Sequence, residues 1–247
     1  MVLPLLSSIK GHSFLFHALF LFVIIAIRYL VLASLALWLI RSRPIQLERD
    51  EIHDLQLSVV SAIIFAMAFA AAIQLYLLGL TRIYDQPLAY GWWYIGASYL
   101  IVLILQDGYF YLTHRLFHLP RFYLIAHKGH HRSRRPSPWT SFAFDPIESL
   151  AHAFFLLGII CFLPLHLGTI LAVLTTMTIW AVVNHLGLDE LPVHFPHHWL
   201  GRWVIGPAHH SIHHDRQDKH FGLYFTFWDK VMGTEERGYS YKLKKAK

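Results

Sequence analysis

The chain has 247 residues, 55% of them hydrophobic and only 15% charged, with a mean hydropathy of +0.43; a soluble domain is about a quarter charged, so an ordinary soluble protein is excluded and a membrane-embedded one expected. The net charge of +6 and pI near 9.4 do not point to nucleic acid, because the basic residues flank apolar spans and form no soluble basic domain. The single cysteine, Cys161 in an apolar run, leaves no disulfide framework, C-x-x-C redox pair, c-type haem attachment or iron-sulfur ligand set.

In chain order, the first predicted span runs from about Phe14 to Ile40, long enough to cross a bilayer and tilt. Arg28 interrupts it and is expected to face another helix or to snorkel. No signal-peptide cleavage pattern follows, so this span is expected to remain in the mature protein. After a polar connection (Arg41 to His53), a second span from about Ser58 to Leu80 is rich in alanine, which favours close helix packing. The Trp92-Trp93-Tyr94 cluster marks an interface, and a third span continues through Leu105 as helix to a pair of histidines. Ile147 to Leu186 reads as a helical hairpin broken at Pro164 to Gly168, each arm near the minimum for a crossing, so a re-entrant pair is the alternative. His152 and His166 on these arms are assigned packing or interfacial roles.

Lys and Arg concentrate in segments 41–57, 114–146 and 199–247, whereas 81–90 and 164–168 hold only Arg82. Five crossings with the N-terminus outside satisfy this distribution and place the histidine segments and the tail Lys242 to Lys247 on the cytoplasmic side. The expected fold is all-α, a multi-span transmembrane helical bundle with a cytoplasmic histidine-rich di-metal helical cap. N-terminal transmembrane helices (1–90) precede a catalytic domain containing the hairpin (91–236) and a basic tail (237–247).

The chemistry is carried by histidines. His114-Arg-Leu-Phe-His118, His127-Lys-Gly-His130-His131, Asn184-His185 and His210-Ser-Ile-His213-His214 recur within one stretch, and i, i+3 and i+4 share a helix face. With 19 histidines in the chain, chance supplies only about 0.1 H-x-x-H-H triplets, against the two present. Asp107, Tyr111, His114 and His118 also fall on one helical face. Asp107 is thus a candidate to orient a ligand imidazole. Asp189 and Asp215 are further candidate carboxylates to balance metal charge.

Imidazole suits zinc, copper, iron and nickel, but some ten histidines exceed the four positions of one zinc, which implies two metals. A di-metal site beside apolar helices suits a lipid chain. Its unactivated C–H bonds call for a redox metal and dioxygen, hence iron over zinc. No dinucleotide, flavin, P-loop or haem signature is present, so electrons must come from a separate donor protein, which a basic cytoplasmic face suits if the donor is acidic. The alternatives are a zinc-dependent membrane hydrolase of lipids and a metal transport or sensing protein.

The order H-x-x-x-H, H-x-x-H-H, N-H, H-H-x-x-H-H resembles the fatty acid hydroxylase and sterol desaturase superfamily of membrane di-iron enzymes. Asp107-Gly-Tyr-Phe-Tyr-Leu-Thr-His114-Arg115 looks like that family's D-x-x-Y-Y-x-x-H-R. Phe221-Gly222, Trp228-Asp229 and Gly233-Thr234 look like its terminal signature, so the resemblance covers roughly Tyr99 to Thr234. It implies that His114, His118, His127, His130, His131, His185, His210, His213 and His214 are metal ligands, with His198 as the tenth and His194 and His197 as runners-up. Asp107, Tyr111 and Asn184 are named as catalytic groups beside them, and His209 as a group supporting the ligands. Two iron ions would be the cofactor, with zinc a possible substitute and dioxygen the co-substrate. The donor would be cytochrome b5-like or ferredoxin-like, and the membrane the bacterial inner membrane or the endoplasmic reticulum. Two departures stand out: Asp145-Pro146-Ile147-Glu148 where the family commonly has His-Pro-x-x-Glu, and His220-Phe221-Gly222 where it often has Asn-Phe/Tyr-Gly.

Overall fold

The computed structural model describes residues 11–40, 49–187 and 203–236. Helix α1 spans Phe14–Ile40, α2 Arg49–Leu77 and α3 Trp92–Phe117. A short helix α4 (Pro120–Ala126) leads into two 3-10 turns, His130–Arg132 and Pro138–Phe142. Then come α5 (Pro146–Phe162), α6 (Leu167–Asn184), α7 (Pro207–Arg216) and α8 (Phe227–Val231). Proline occupies the first helical position of α4, α5 and α7, where its missing N–H is no loss.

The long elements are helices because each is a run of apolar residues long enough to satisfy its backbone internally in lipid. Among the described residues α1, α2, α3 and α6 are each long and apolar enough to cross a membrane, whereas α5 has 17 residues and reaches about 26 Å at 1.5 Å per residue. That is a little short of the roughly 30 Å hydrocarbon core. Leu15, Trp38, Trp92, Trp93, Phe154 and Phe162 are exposed on the outside of the bundle, as expected of side chains that face lipid. The protein is an integral membrane protein.

Inside, α1 and α2 meet through small side chains. Ala33, Ser61 and Ala70 are fully buried and Ala62 and Ala66 nearly so, around Ile25 and Phe65. A second core joins α3, α5 and α6 through Val102, Leu103, Ile160 and Val173. At one end of the bundle a two-residue parallel ladder pairs β1 (Ile83–Tyr84) with β2 (Leu165–His166), tying the α2–α3 connection to the tip of the α5–α6 hairpin. Arg82 N–H donates to the Ile160 carbonyl beside it. His166 caps α6, its Nδ1 accepting from Gly168 N–H at 3.0 Å, so it serves local structure.

The other end carries the histidines. The C-termini of α3 and α6 and the N-termini of α2 and α5 converge there, and α4, the 3-10 turns, α7 and the segment 220–234 close over them. Tyr29 of α1 donates to the Trp139 carbonyl (2.7 Å), Ser61 of α2 to the Phe144 carbonyl (3.1 Å), and Ser149 of α5 to Ser61 (3.1 Å). The first two helices therefore hold the loop that follows the second histidine segment. Because Ala66 sits where α1 and α2 approach closely, Ala66→Leu should overpack this contact, costing about 1–3 kcal/mol. A lower melting temperature in detergent would register it; an unchanged one would mean the helices separate freely.

Candidate metal centre

The structure brings together nine of the ten histidines that the sequence singles out. They form two groups: His114, His118, His127, His131 and His213, and His130, His185, His210 and His214. Within each group one ring nitrogen per residue lies within 4.8 Å of the others, and all nine side chains but the half-buried His118 are buried. His198, with its runners-up His194 and His197, lies outside the described residues, as does Asp189.

The split follows from helix geometry. Successive residues on a helix diverge by about 100°, so the adjacent pairs His130-His131 and His213-His214 cannot face one point. Each sends one ring to either group. The expectation that both triplets lie along α-helices holds for α7, whereas His127 is the residue that ends α4 and His130 begins a 3-10 turn.

Six of the imidazoles are oriented from behind. The Nδ1–H groups donate to the carbonyls of Phe221 (from His114, 3.0 Å), Ala143 (from His130, 3.1 Å), Ala181 (from His185, 2.6 Å), Lys219 (from His213, 2.7 Å) and Ser133 (from His214, 3.0 Å). The sixth, from His127, goes to the Glu148 carboxylate at 2.9 Å. A carbonyl can only accept, so in a neutral ring the proton is fixed on Nδ1 and Nε2 presents a bare lone pair.

These lone pairs face one another. His114 Nε2 lies 3.0 Å from His127 Nε2, and with both protons committed elsewhere neither nitrogen has a hydrogen to share. His210 Nε2 sits 3.0 Å from His185 Nε2 and 3.1 Å from His214 Nε2, two acceptors that one N–H cannot serve together. His213 Nε2 likewise receives both His118 (3.1 Å) and His131 (3.0 Å). Burial, reinforced by neighbouring imidazoles, holds His118, His131, His210, His213 and His214 well below the ordinary histidine range. It brings His130 down to about 4 and His185 to about 3. Protonation is thus disfavoured, and a cation in each group is what relieves the opposed lone pairs. The donor set, all nitrogen and with the tautomer fixed in six of the nine rings, fits a metal of the imidazole-binding kind.

Other residues set the positions of these rings. Asp145 accepts from Gly129 N–H (2.7 Å), which accounts for a carboxylate where the resembled family has histidine. A Cβ on Gly129 would lie 2.5 Å from the Asp145 Oδ1, so a larger residue would push the carboxylate away from this bond. Glu148, which spacing alone did not single out as a ligand support, holds His127. The only cue to it was its place in the D-P-x-E string. Asp54 of α2 accepts from Ser133 Oγ (2.8 Å) and Thr140 Oγ1 (2.7 Å), and the Ser133 carbonyl orients His214. No local pattern in the sequence signals that reach of 79 residues.

Three residues expected beside the ligands hold the neighbouring segment. Among the described residues Asp107 receives no imidazole; its Oδ1 accepts the backbone N–H groups of Leu223 (3.2 Å), Tyr224 (2.7 Å) and Phe225 (3.2 Å). The Tyr111 hydroxyl pairs with Thr234 Oγ1 (3.0 Å), and Asn184 Nδ2 donates to the Leu223 carbonyl (3.3 Å). All three grip the segment 220–234. The helical face was shared as periodicity said, but beyond the histidines a packed loop lies over it. Asp229 completes the grip, taking Phe221 N–H (2.8 Å), Gly222 N–H (3.0 Å) and Thr234 Oγ1 (2.7 Å). Phe221 in turn orients His114 through its carbonyl. His220 takes a left-handed backbone (φ 56), a conformation in which asparagine is enriched, and its ring meets His209 at 4.9 Å. His209 belongs to neither histidine group, its Nδ1 accepting from Gly206 N–H (3.2 Å), and Asp215 is exposed.

An apolar cavity enclosing about 800 Å³, counted with its open mouth, borders the histidines. Two of its lining rings touch them, Phe110 against His114 (4.9 Å between ring centres) and Phe144 against His130 (5.8 Å).

A membrane-embedded helical bundle with two histidine groups fit to bind metal is thus the class of protein that fold and site define. The family model described as Fatty acid hydroxylase matches residues 99–234, and the chain belongs to that family. It is similar to the Delta(7)-sterol 5(6)-desaturase ERG3B of Gibberella zeae, 32% identical over 158 residues that make up 63% of this chain and 47% of that protein. It is 30% identical over 158 residues to the lathosterol oxidase of Homo sapiens (63% and 51% covered). With the Delta(7)-sterol 5(6)-desaturase erg3B of Aspergillus fumigatus it shares 29% identity over 248 residues (94% and 70% covered). The chain spans about half the length of most of these curated relatives. No solved structure matches it.

Two substitutions test how the site is held. Asp54→Asn removes the charged acceptor behind Ser133 and His214, and should weaken metal binding by about 10-fold, the lower end for groups behind a ligand; affinity equal to wild type in a metal titration would detach α2 from the site. Asp107→Ala leaves three amides without their acceptor and should cost about 1–3 kcal/mol, with Asp107→Asn milder, both read as thermal stability in detergent.

Proposed function

We propose that the protein is an integral membrane di-iron oxidoreductase that uses dioxygen to hydroxylate or desaturate a lipid, with the nine clustered histidines as ligands and His198 as the tenth. The observation that carries this reading is the set of converging Nε2 atoms, six of the nine rings being fixed by an acceptor behind them. Two such groups side by side suit two metals. The relatives' names, sterol desaturases and a sterol oxidase, support lipid oxidation.

Two iron ions held there would supply the redox capacity, with dioxygen, to break an unactivated C–H bond, which zinc lacks and acid–base chemistry does not achieve. The chain's own residues do the rest. Carbonyls and Glu148 keep the rings in one tautomer and orientation, so the ligand geometry is set before any metal arrives. Phe110, Phe144 and Phe221 wall the histidines with apolar surface, which keeps water from the reacting carbon. The cavity admits an apolar chain from the bilayer and lays it against Phe110 and Phe144.

Either outcome consumes dioxygen, two electrons and two protons, and the electrons come from a separate cytochrome b5-like or ferredoxin-like donor. Arg115, Arg121, Lys128, Arg132, Arg134 and Arg135 are exposed around the histidine end and suit an acidic partner. With that end cytoplasmic, in a bacterial inner membrane or the endoplasmic reticulum, the donor meets the site from the side it occupies.

Purified protein should hold two irons, and His130→Ala or His213→Ala should each abolish turnover and lower metal content while membrane insertion persists. Lipid profiles of cells with and without the gene then name the reaction, a gain of one oxygen for hydroxylation or a loss of two hydrogens for desaturation. Zinc alone, with turnover that needs no dioxygen, would replace this reading by a hydrolase.

A further inference from the structure

Arg28 lies at the middle of α1, a span long and apolar enough to cross the bilayer. Its side chain faces neighbouring helices across the apolar cavity that borders the histidines. Among the described residues no carboxylate lies within ion-pairing distance of its guanidinium, and its Nε is buried with no hydrogen-bond partner.

The other polar side chains of the lining are nearly all occupied. Tyr29 donates to the Trp139 carbonyl (2.7 Å), Ser141 to Pro138 (2.7 Å) and Thr178 to Leu174 (2.8 Å). Gln106 contacts Met177 Sδ (3.0 Å) and accepts from Tyr224 (2.9 Å). His152 alone shares unmet capacity with Arg28, and it belongs to the histidine end, 3.8 Å from Glu148 and stacked on Phe110.

A cation buried among apolar side chains is costly unless it is paired. The described residues supply no pair here, while the cavity beside it is apolar, is lined from five helices and borders the histidines, as a ligand site would. Building on the lipid-oxidation reading above, we infer that Arg28 binds the anionic end of the lipid substrate, a carboxylate, and so sets which carbon of the chain rests against Phe110 and Phe144. A guanidinium fork matches a carboxylate in two parallel hydrogen bonds and cancels its charge. A hydroxyl or an ester accepts a hydrogen bond but leaves the charge unpaired. Arg28 would thus be specificity-determining, on a helix that precedes the matched family segment, residues 99–234.

The test is equilibrium binding to the purified full chain in neutral-lipid nanodiscs, at a pH where fatty acids ionise. Palmitate, methyl palmitate, hexadecanol and cholesterol each compete with a fluorescent fatty acid. Palmitate should bind about 10- to 100-fold tighter than methyl palmitate, the range of a hydrogen-bonded charge. Arg28→Gln should erase that preference while leaving methyl palmitate affinity and metal content unchanged. Equal binding of acid and ester by the wild-type chain would overturn the inference, without recourse to a variant. So would a preference that survives in Arg28→Gln, or cholesterol binding tighter than palmitate. Binding needs no turnover, so the two readings separate: an Arg28-dependent preference in a protein that oxidises no lipid would sink the proposed reaction and leave this site standing.

Discussion

Bare imidazole lone pairs repel at the distances found here, and much of the architecture at the histidine end exists to hold them there. His114 and His127 oppose Nε2 to Nε2 at 3.0 Å with no proton between them. Left alone, either ring would turn away to find a donor. Each is prevented by a hydrogen bond behind it, and the acceptors of those bonds come from four different parts of the chain: Glu148 at the start of α5, Ala181 near the end of α6, the loop carbonyls of Ser133 and Ala143, and Lys219 and Phe221 after α7. Secondary structure is therefore secondary to placement. The helices deliver acceptors, and the acceptors aim the rings.

The segment 220–234 shows how this aim is itself supported. It carries the carbonyl that orients His114, yet has little regular structure beyond the five-residue α8. Buried carboxylates do for it what a helix ladder would otherwise do. Asp107 gathers three of its amides and Asp229 two more, with Tyr111 and Asn184 tying its other points to α3 and α6. Gly222 is required at its sharpest approach, where a Cβ would meet the Phe225 carbonyl at 2.6 Å.

Much of this was legible in the sequence. Span length and hydropathy mark helices because lipid offers the backbone no other partner, and α3 runs unbroken from Trp92 to Phe117 as its pattern implied. The histidine spacings were legible because i, i+3 and i+4 must share a face. The division into two groups was implicit in the doubled His130-His131 and His213-His214, since neighbours on a helix diverge. What the sequence concealed is long-range: the Asp54 bond to Ser133 and the grip of Asp107 on residues 223–225, 116 to 118 positions away. Periodicity gives a face and says nothing of what covers it, so the hydrogen bonds that Asp107, Tyr111 and Asn184 make to the segment 220–234 could not be read from it. Arg28 was legible as an anomaly, but the cavity it lines exists only once five helices have packed.

The distribution of the two groups along the chain also bears on how the protein is made. Four of the five rings in the first group lie between His114 and His131, whereas three of the four in the second lie from His185 onward. As the ribosome delivers α5, the first group lacks only His213, and the second consists of His130 alone. The two positions therefore fill at different rates during synthesis, and α7 is the element whose arrival finishes both. A nascent chain halted within α6 would carry one nearly complete nitrogen cage and one solitary ring.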